Sequence, residues 1–192
     1  MIPRKIIIAA SLCIFSHLSP AQEKFEKEYR INKRSAPSNA TSFIDECFPD
    51  SRIKWYREES TKGTFFEAKI RHSKTIYSIK FDQQGNLQDT ERTLSFKDLP
   101  VGAQKNIRQF LERRFATYSI IKLQEQWLAD KNIIKSLIVN GNPSGHYKTN
   151  YELEIRGKAG KDIDFFEFLF NQEGKLVREY KIVEKNFNNL IF

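Results

Sequence analysis

Apolar and polar residues alternate with a period of two along several short stretches of this chain. Phe66, Ala68 and Ile70 form one such series, and Tyr77, Ile79 and Phe81 a second. Tyr151, Leu153 and Ile155 form a third, and Phe166, Phe168 and Phe170 a fourth. Strict alternation predicts strands that each bury one face. Elsewhere the spacing is helical. Val101, Ile107, Phe110, Leu111 and Phe115 make one stripe, with Lys105, Arg108, Glu112 and Arg113 on the other side. A shorter helix carries Phe43, Ile44, Cys47 and Phe48 and is ended by Pro49, which cannot continue it. Pro37 and Pro100 stand where the two helices begin, a place where a missing N–H costs nothing.

The pattern occurs twice. The run from Phe43 to Phe48 and on to Ile53 returns as Phe110 to Phe115 and on to Ile120, 67 residues later. The strands at Phe66 and Tyr77 return at Tyr151 and Phe166, offset by 85 and 89. The turns agree as well: Asp82 to Leu87 matches Asn171 to Leu176, with Gly85 and Gly174 at the position that calls for positive φ. A Glu-x-x-aliphatic strand precedes each helix, Glu28 to Ile31 and Glu91 to Leu94, and Glu179 to Ile182 repeats it near the end. The expected fold is α+β, two tandem copies of one helix packed on a four-stranded antiparallel sheet. The copies span residues 22–98 and 99–192. They differ by an insertion at about 128–149, where Lys131 to Val139 is expected to lengthen a hairpin and Asn140 to Gly145 to form its tip.

The first 21 residues change the compartment. Arg4 and Lys5 precede a ten-residue apolar run from Ile6 to Phe15, and Ser19-Pro20-Ala21 supplies small residues for cleavage before Gln22. The run is shorter than the roughly 20 residues that span a bilayer, so it reads as a signal peptide and not as a stable anchor. The expected location is periplasmic or secreted. Losing Arg4 and Lys5 takes the net charge from +8 to +6. Outside the cytoplasm that charge points to acidic proteins or an anionic envelope surface and away from nucleic acid. Cys47 is the cysteine left after cleavage, so no internal disulfide forms. Its neighbours Phe43, Ile44 and Phe48 make it a core residue.

The order Glu28-Tyr29-Arg30-Ile31, Pro37, Phe43-Ile44, Phe48-Pro49, Ile53-Lys54-Trp55-Tyr56, Phe66-Glu67-Ala68, Phe81-Asp82 and Gly85-Asn86-Leu87 resembles the exported PepSY-like, beta-lactamase-inhibitor-like proteins. The likeness covers most of residues 27–184. It implies a tandem helix-on-sheet fold outside the cytoplasm, with an open sheet face that grips a protein. These motifs determine fold and carry no chemical group.

On this reading the face opposite the helices is the binding surface. In the first copy it presents Lys54, Tyr56, Phe65, Glu67, Lys69, Ile76, Ser78 and Lys80. In the second it presents Ile121, Leu123, Glu152, Glu154, Phe165, Glu167 and Leu169. Aromatic anchors in a polar rim suit a protein or peptide partner, and Tyr56, Phe65, Lys69, Ile121, Leu123, Phe165 and Leu169 are the candidates. Trp55 alternates with Ile53 and belongs inside, whereas Trp127 starts the insertion. His72 and His146 have no neighbouring ligand at metal spacing. Ser73 and Ser144 lie in turns without an elbow motif. Glu152 and Glu154 share a strand face, which on an exposed sheet is solvation. The expectation is a non-catalytic, inhibitor-like binding module without cofactor or metal. The alternatives are a small-ligand or metal-binding protein, and an enzyme. Oligomeric state and partner identity are not written in the sequence.

Overall fold

The computed structural model describes residues 22–24, 26–141, 143 and 145–182. The signal segment 1–21 lies outside the described residues. Two strands come first, β1 (Gln22–Lys24) and β2 (Glu26–Ile31), followed by α1 (Ser38–Cys47). Four strands follow: β3 (Arg52–Ser60), β4 (Gly63–His72), β5 (Thr75–Phe81) and β6 (Leu87–Thr93). Then come α2 (Val101–Arg114), β7 (Thr117–Leu128), α3 (Lys131–Asn140), β8 (Lys148–Ala159), β9 (Asp162–Asn171) and β10 (Leu176–Ile182).

The strands form one ten-stranded sheet in the order β1-β10-β9-β8-β7-β6-β5-β4-β3-β2, larger than the four-stranded sheet expected for each copy. The seam is β6 against β7, with Thr90 opposite Trp127 and Thr93 opposite Gln124. Pairing there satisfies two edges that would otherwise present open backbone donors and acceptors. Every pairing is antiparallel except β1 with β10.

The N-terminal run makes the sheet curl. Lys24 pairs with Ile182 at one edge, and Glu26 pairs with Ser60 at the other. One residue separates Lys24 from Glu26, so their Cα atoms lie at most about 7 Å apart. The two edges must meet at that corner. Lys62, in the β3–β4 turn, reaches the ring of Tyr180 on β10 at 5.7 Å across the same junction.

The helices cover the convex side over two apolar clusters. Ala40, Phe43, Ile44 and Phe48 pack on Trp55, Ala68, Ile70, Ile79 and Phe81. Ala103, Ile107, Leu111 and Phe115 pack on Leu123, Leu153, Ile155, Phe166, Phe168 and Phe170. Trp55 and Trp127 both belong to the first cluster. Cys47 is buried with them, and its thiol is pushed up to about 11 by burial.

The insertion is a helix, not a lengthened hairpin. Ile133, Ile134, Leu137 and Ile138 recur at helical spacing and pack into the first cluster. Gly141 ends the helix at φ 66°, the left-handed conformation glycine adopts without penalty. α3 lies on α1, where Lys135 Nζ meets Glu46 Oε2 at 2.7 Å.

Candidate functional site: a charged lumen on the concave face

Period-two alternation decides what the curl encloses. Each strand that sends apolar residues to the helices sends its other residues to the concave side. The result is a cavity of about 530 Å³ lined from β2 through β10. β2 contributes Glu26 and Glu28, β3 Glu58 and Ser60, and β4 Phe65, Glu67 and Lys69. Lys80 comes from β5, Asp89 and Glu91 from β6, and Lys122 and Gln126 from β7. Asn150, Glu152 and Glu154 come from β8, Glu167 and Leu169 from β9, and Arg178 and Tyr180 from β10.

The lining holds nine carboxylates against six lysines and arginines. The chain as a whole is +8, so the lumen has the opposite sign from the rest of the molecule. Summed charge points to acidic partners; the concave face points to basic ones.

Ion pairs organise the half near β2 to β5. Lys69 Nζ lies 2.7 Å from Glu28 Oε2 and 3.2 Å from Glu67 Oε2. Lys80 Nζ lies 2.8 Å from Glu58 Oε2. The Ser78 hydroxyl donates to Glu67. Burial would raise the Glu67 carboxyl, but Lys69, Lys80 and the Ser78 hydroxyl outweigh it and hold it down at about 2. Burial, then the Glu67 charge, pushes Glu28 up to about 6. Oxygens of Glu28, Glu58 and Glu67 lie within 4.8 Å of one another, a donor set that suits a hard cation. Lys69 and Lys80 already supply the positive charge there.

The half near β6 to β8 is arranged differently. Asn150 Nδ2 donates to Gln126 Oε1 at 2.9 Å, and Gln126 Nε2 donates to Asp89 Oδ2 at 3.4 Å. Lys122 Nζ lies 3.8 Å from Glu154 Oε1. Burial pushes Asp89 up to about 6, with Lys80 opposing. Burial, and then the charge of Asp89, pushes Glu91 up to about 8.

The candidates read from the sequence divide into three groups. Phe65, Lys69 and Leu169 line the lumen. Tyr56 sits opposite Glu67 on the same face, with Lys69 Nζ 4.8 Å from its ring centroid. Phe165 stands opposite Arg156 and is half-buried outside the lining. Leu123 is not on this face. The β7–β8 register steps from Ile120 opposite Ile155 to Lys122 opposite Glu154, which leaves Ile121 as the extra residue of a bulge. A bulge shifts the alternation by one. Leu123 therefore faces the helices, opposite Leu153 and 4% exposed, while Lys122 faces the lumen. Ile121 itself is 37% exposed. Asp89, Glu91, Gln126 and Asn150 were not among the candidates. The alternation Asp89-Thr90-Glu91, with Thr90 fully buried on the helix side, is the signal that places the two acids inward.

His72 lies outside the lumen. Its Nδ1 shares a hydrogen bond with Ser51 Oγ at 3.0 Å, and the Phe48 ring packs against it at 5.6 Å.

No known protein family matches the chain, and no curated protein does. Solved structures do. A DUF2874 family protein from Bacteroides ovatus superposes with a TM-score of 0.53 at 12% identity, over 81% of this chain and 94% of its own. A protein of Bacteroides eggerthii described as "putative periplasmic" gives 0.51 at 13%, over 80% and 94%. These two share the fold of this chain. A BLIP-like protein from Bacteroides fragilis gives 0.49 at 17% identity, over 79% and 90%. No helix among the described residues is long and apolar enough to cross a membrane.

Proposed function

We propose that this protein is an exported, non-catalytic binding module that holds a basic segment of a partner polypeptide in the lumen of its curled sheet. One observation carries the reading: a basic chain encloses an acid-rich, strand-lined cavity. Charge of opposite sign in a low-dielectric cleft focuses the field and draws in a complementary partner. Phe65 and Tyr180 in the lining, with the Tyr56 ring against Lys69, supply aromatic contact area next to the charges. Export is supported by the apolar segment Ile6 to Phe15 with small residues after it. The "putative periplasmic" description of one structural relative agrees with it.

We also infer that the halves 22–98 and 99–192 are copies of one unit. A helix and four strands follow one another twice, α1 with β3 to β6 and α2 with β7 to β10, with α3 added in the second half.

The test is capture from envelope extract with residues 22–192 as bait. Leu169→Arg fills the lumen, and Val139→Arg alters the outer surface, where Val139 is 55% exposed. Wild type and Val139→Arg are expected to retain the same partner and Leu169→Arg to lose it. Equal retention by all three, with matching thermal melts, refutes the reading.

A further inference from the structure

The acid excess of the lumen is uneven. Lys69 is held by Glu28 and Glu67, and Lys80 by Glu58. The carboxylate in ion-pairing distance of Lys122 is Glu154. Asp89 and Glu91, at the seam between the halves, have no salt bridge among the described residues. Glu91 is surrounded by Asp89, Lys122, Lys80 and Glu67.

A second observation is independent of charge. Asp89 accepts from the Gln126 amide nitrogen, so the Gln126 oxygen is the acceptor for Asn150 Nδ2. That chain fixes the Asn150 amide with its oxygen left over. Asn150 Oδ1 is buried without a donor in a residue 1% exposed that lines the lumen. Gln124 Oε1, in a residue 2% exposed, is in the same condition two pairs along, where Gln124 faces Glu152. Buried acceptors without donors are uncommon in folded proteins and call for an explanation.

The seam thus offers carboxylates and an amide oxygen from β6 and β8, and although Lys80 and Lys122 add positive charge nearby, neither comes within ion-pairing distance of Asp89 or Glu91. A guanidinium presents its donors in one plane to one carboxylate edge. An ammonium has three donors that rotate to acceptors on separate strands. We propose that the β6–β8 end of the lumen is a primary-alkylammonium site, formed by Asp89, Glu91 and the side-chain oxygen of Asn150. This inference rests on the reading of the lumen as the binding face. The ammonium belongs to a partner lysine or to a free aliphatic diamine, and the two are separated by experiment. Burial and Asp89 keep Glu91 protonated near neutral pH. An arriving cation favours its ionised form, so binding at pH 7 releases a proton.

The experiment is titration of isotope-labelled protein with three pairs of probes. The first pair is acetyl-Gly-Gly-Lys-Gly-Gly-amide and its acetyl-lysine counterpart. The second is pentane-1,5-diamine and its diacetylated form. The third is calcium chloride against the same peptide with arginine. At least one ammonium probe is expected to shift the side-chain amide signals of Asn150 and Gln126, and to release a proton measurable by calorimetry in two buffers. Its acetylated form should do neither. Binding of the lysine peptide identifies a polypeptide source, and binding of the diamine alone a free amine. Glu91→Gln is expected to weaken binding tenfold or more and abolish proton release, while Asp45→Asn on the outer surface leaves both intact. If Glu91→Gln does not fold, the proton release of the wild type decides. An acetylated peptide that shifts the same signals overturns the ammonium site and leaves the lumen as the binding face. Tighter binding of arginine or calcium overturns it likewise. Shifts confined to residues outside the lumen remove both readings.

Discussion

Asn39 and Asn106, 67 residues apart, make the same hydrogen bond. Each sits in the N-terminal half of a helix and donates Nδ2 to a carbonyl of a hairpin turn, Gln84 O at 3.3 Å and Glu173 O at 2.8 Å. Each bond ties a helix on the convex side to the turn between the last two strands of its half. A typical net hydrogen bond is worth about 1 kcal/mol. Asn106→Ala is expected to cost about that much and Asn39→Ala less, given its longer bond. The double variant should be additive, because the sites share no partner. Urea unfolding of the four proteins checks this.

The same turns hold Gly85 and Gly174. Gly174 has φ 75°, and a Cβ there would lie 2.6 Å from the Ala103 carbonyl oxygen. Gly141 has a similar φ of 66° but open space around it. Left-handed backbone costs an L-residue about 1–2 kcal/mol. Gly141→Ala is expected to lose about that, and Gly174→Ala at least twice as much, because strain and clash combine. Thermal melts of both variants make the comparison.

Lumen acids set a dependence on pH with opposing signs. Glu91 rises to about 8 and Glu28 to about 6 in the folded protein. The fold then binds more protons than the unfolded chain, so their contribution is full below the ordinary carboxylate range and is lost as pH rises through those values. Glu67 falls to about 2, so its contribution is present above the ordinary range and lost as pH drops toward 2. Glu91→Gln should therefore raise the unfolding midpoint at pH 8 and leave it unchanged at pH 4. Glu67→Gln should lower it at pH 7, with the difference shrinking toward pH 2. Denaturant melts across pH 3 to 9 provide the readout.

The bulge at Ile121 sorts two adjacent aliphatics. Leu123 is 4% exposed in the second cluster, and Ile121 is 37% exposed. Leu123→Ala is expected to cost about 2–5 kcal/mol. Ile121→Ala should stay within about 1 kcal/mol, as partly exposed positions do. Equal losses in equilibrium unfolding would place the register of β7 elsewhere.

Much of this was legible because it is local. Phe66, Ala68 and Ile70 state a strand and its buried face, and Val101 to Phe115 a helix, without reference to anything distant. Gly85 and Gly174 mark their turns. The bulge was not legible, because Ile120-Ile121-Lys122-Leu123 is compatible with either alternation and only pairing with β8 selects one. The insertion helix was hidden among turn residues, although Ile133, Ile134, Leu137 and Ile138 carry its spacing. The lumen escaped for a different reason. Glu67, Lys69, Ser78 and Lys80 alternate with apolar residues as a solvated face does. Whether that face meets bulk water or its own opposite wall depends on Lys24 and Glu26 pairing at opposite edges of the sheet. That is a contact between the two ends of the chain, and no local pattern encodes it.

The claim that the concave face does the binding is tested most directly by photo-crosslinking in the native envelope. A benzophenone residue is placed in the lumen at position 169 or on the outer surface at position 139. Position 169 should yield an adduct whose cross-linked peptide contains a lysine or arginine, and position 139 should yield none with the same protein. Adducts from position 139 alone would contradict the account.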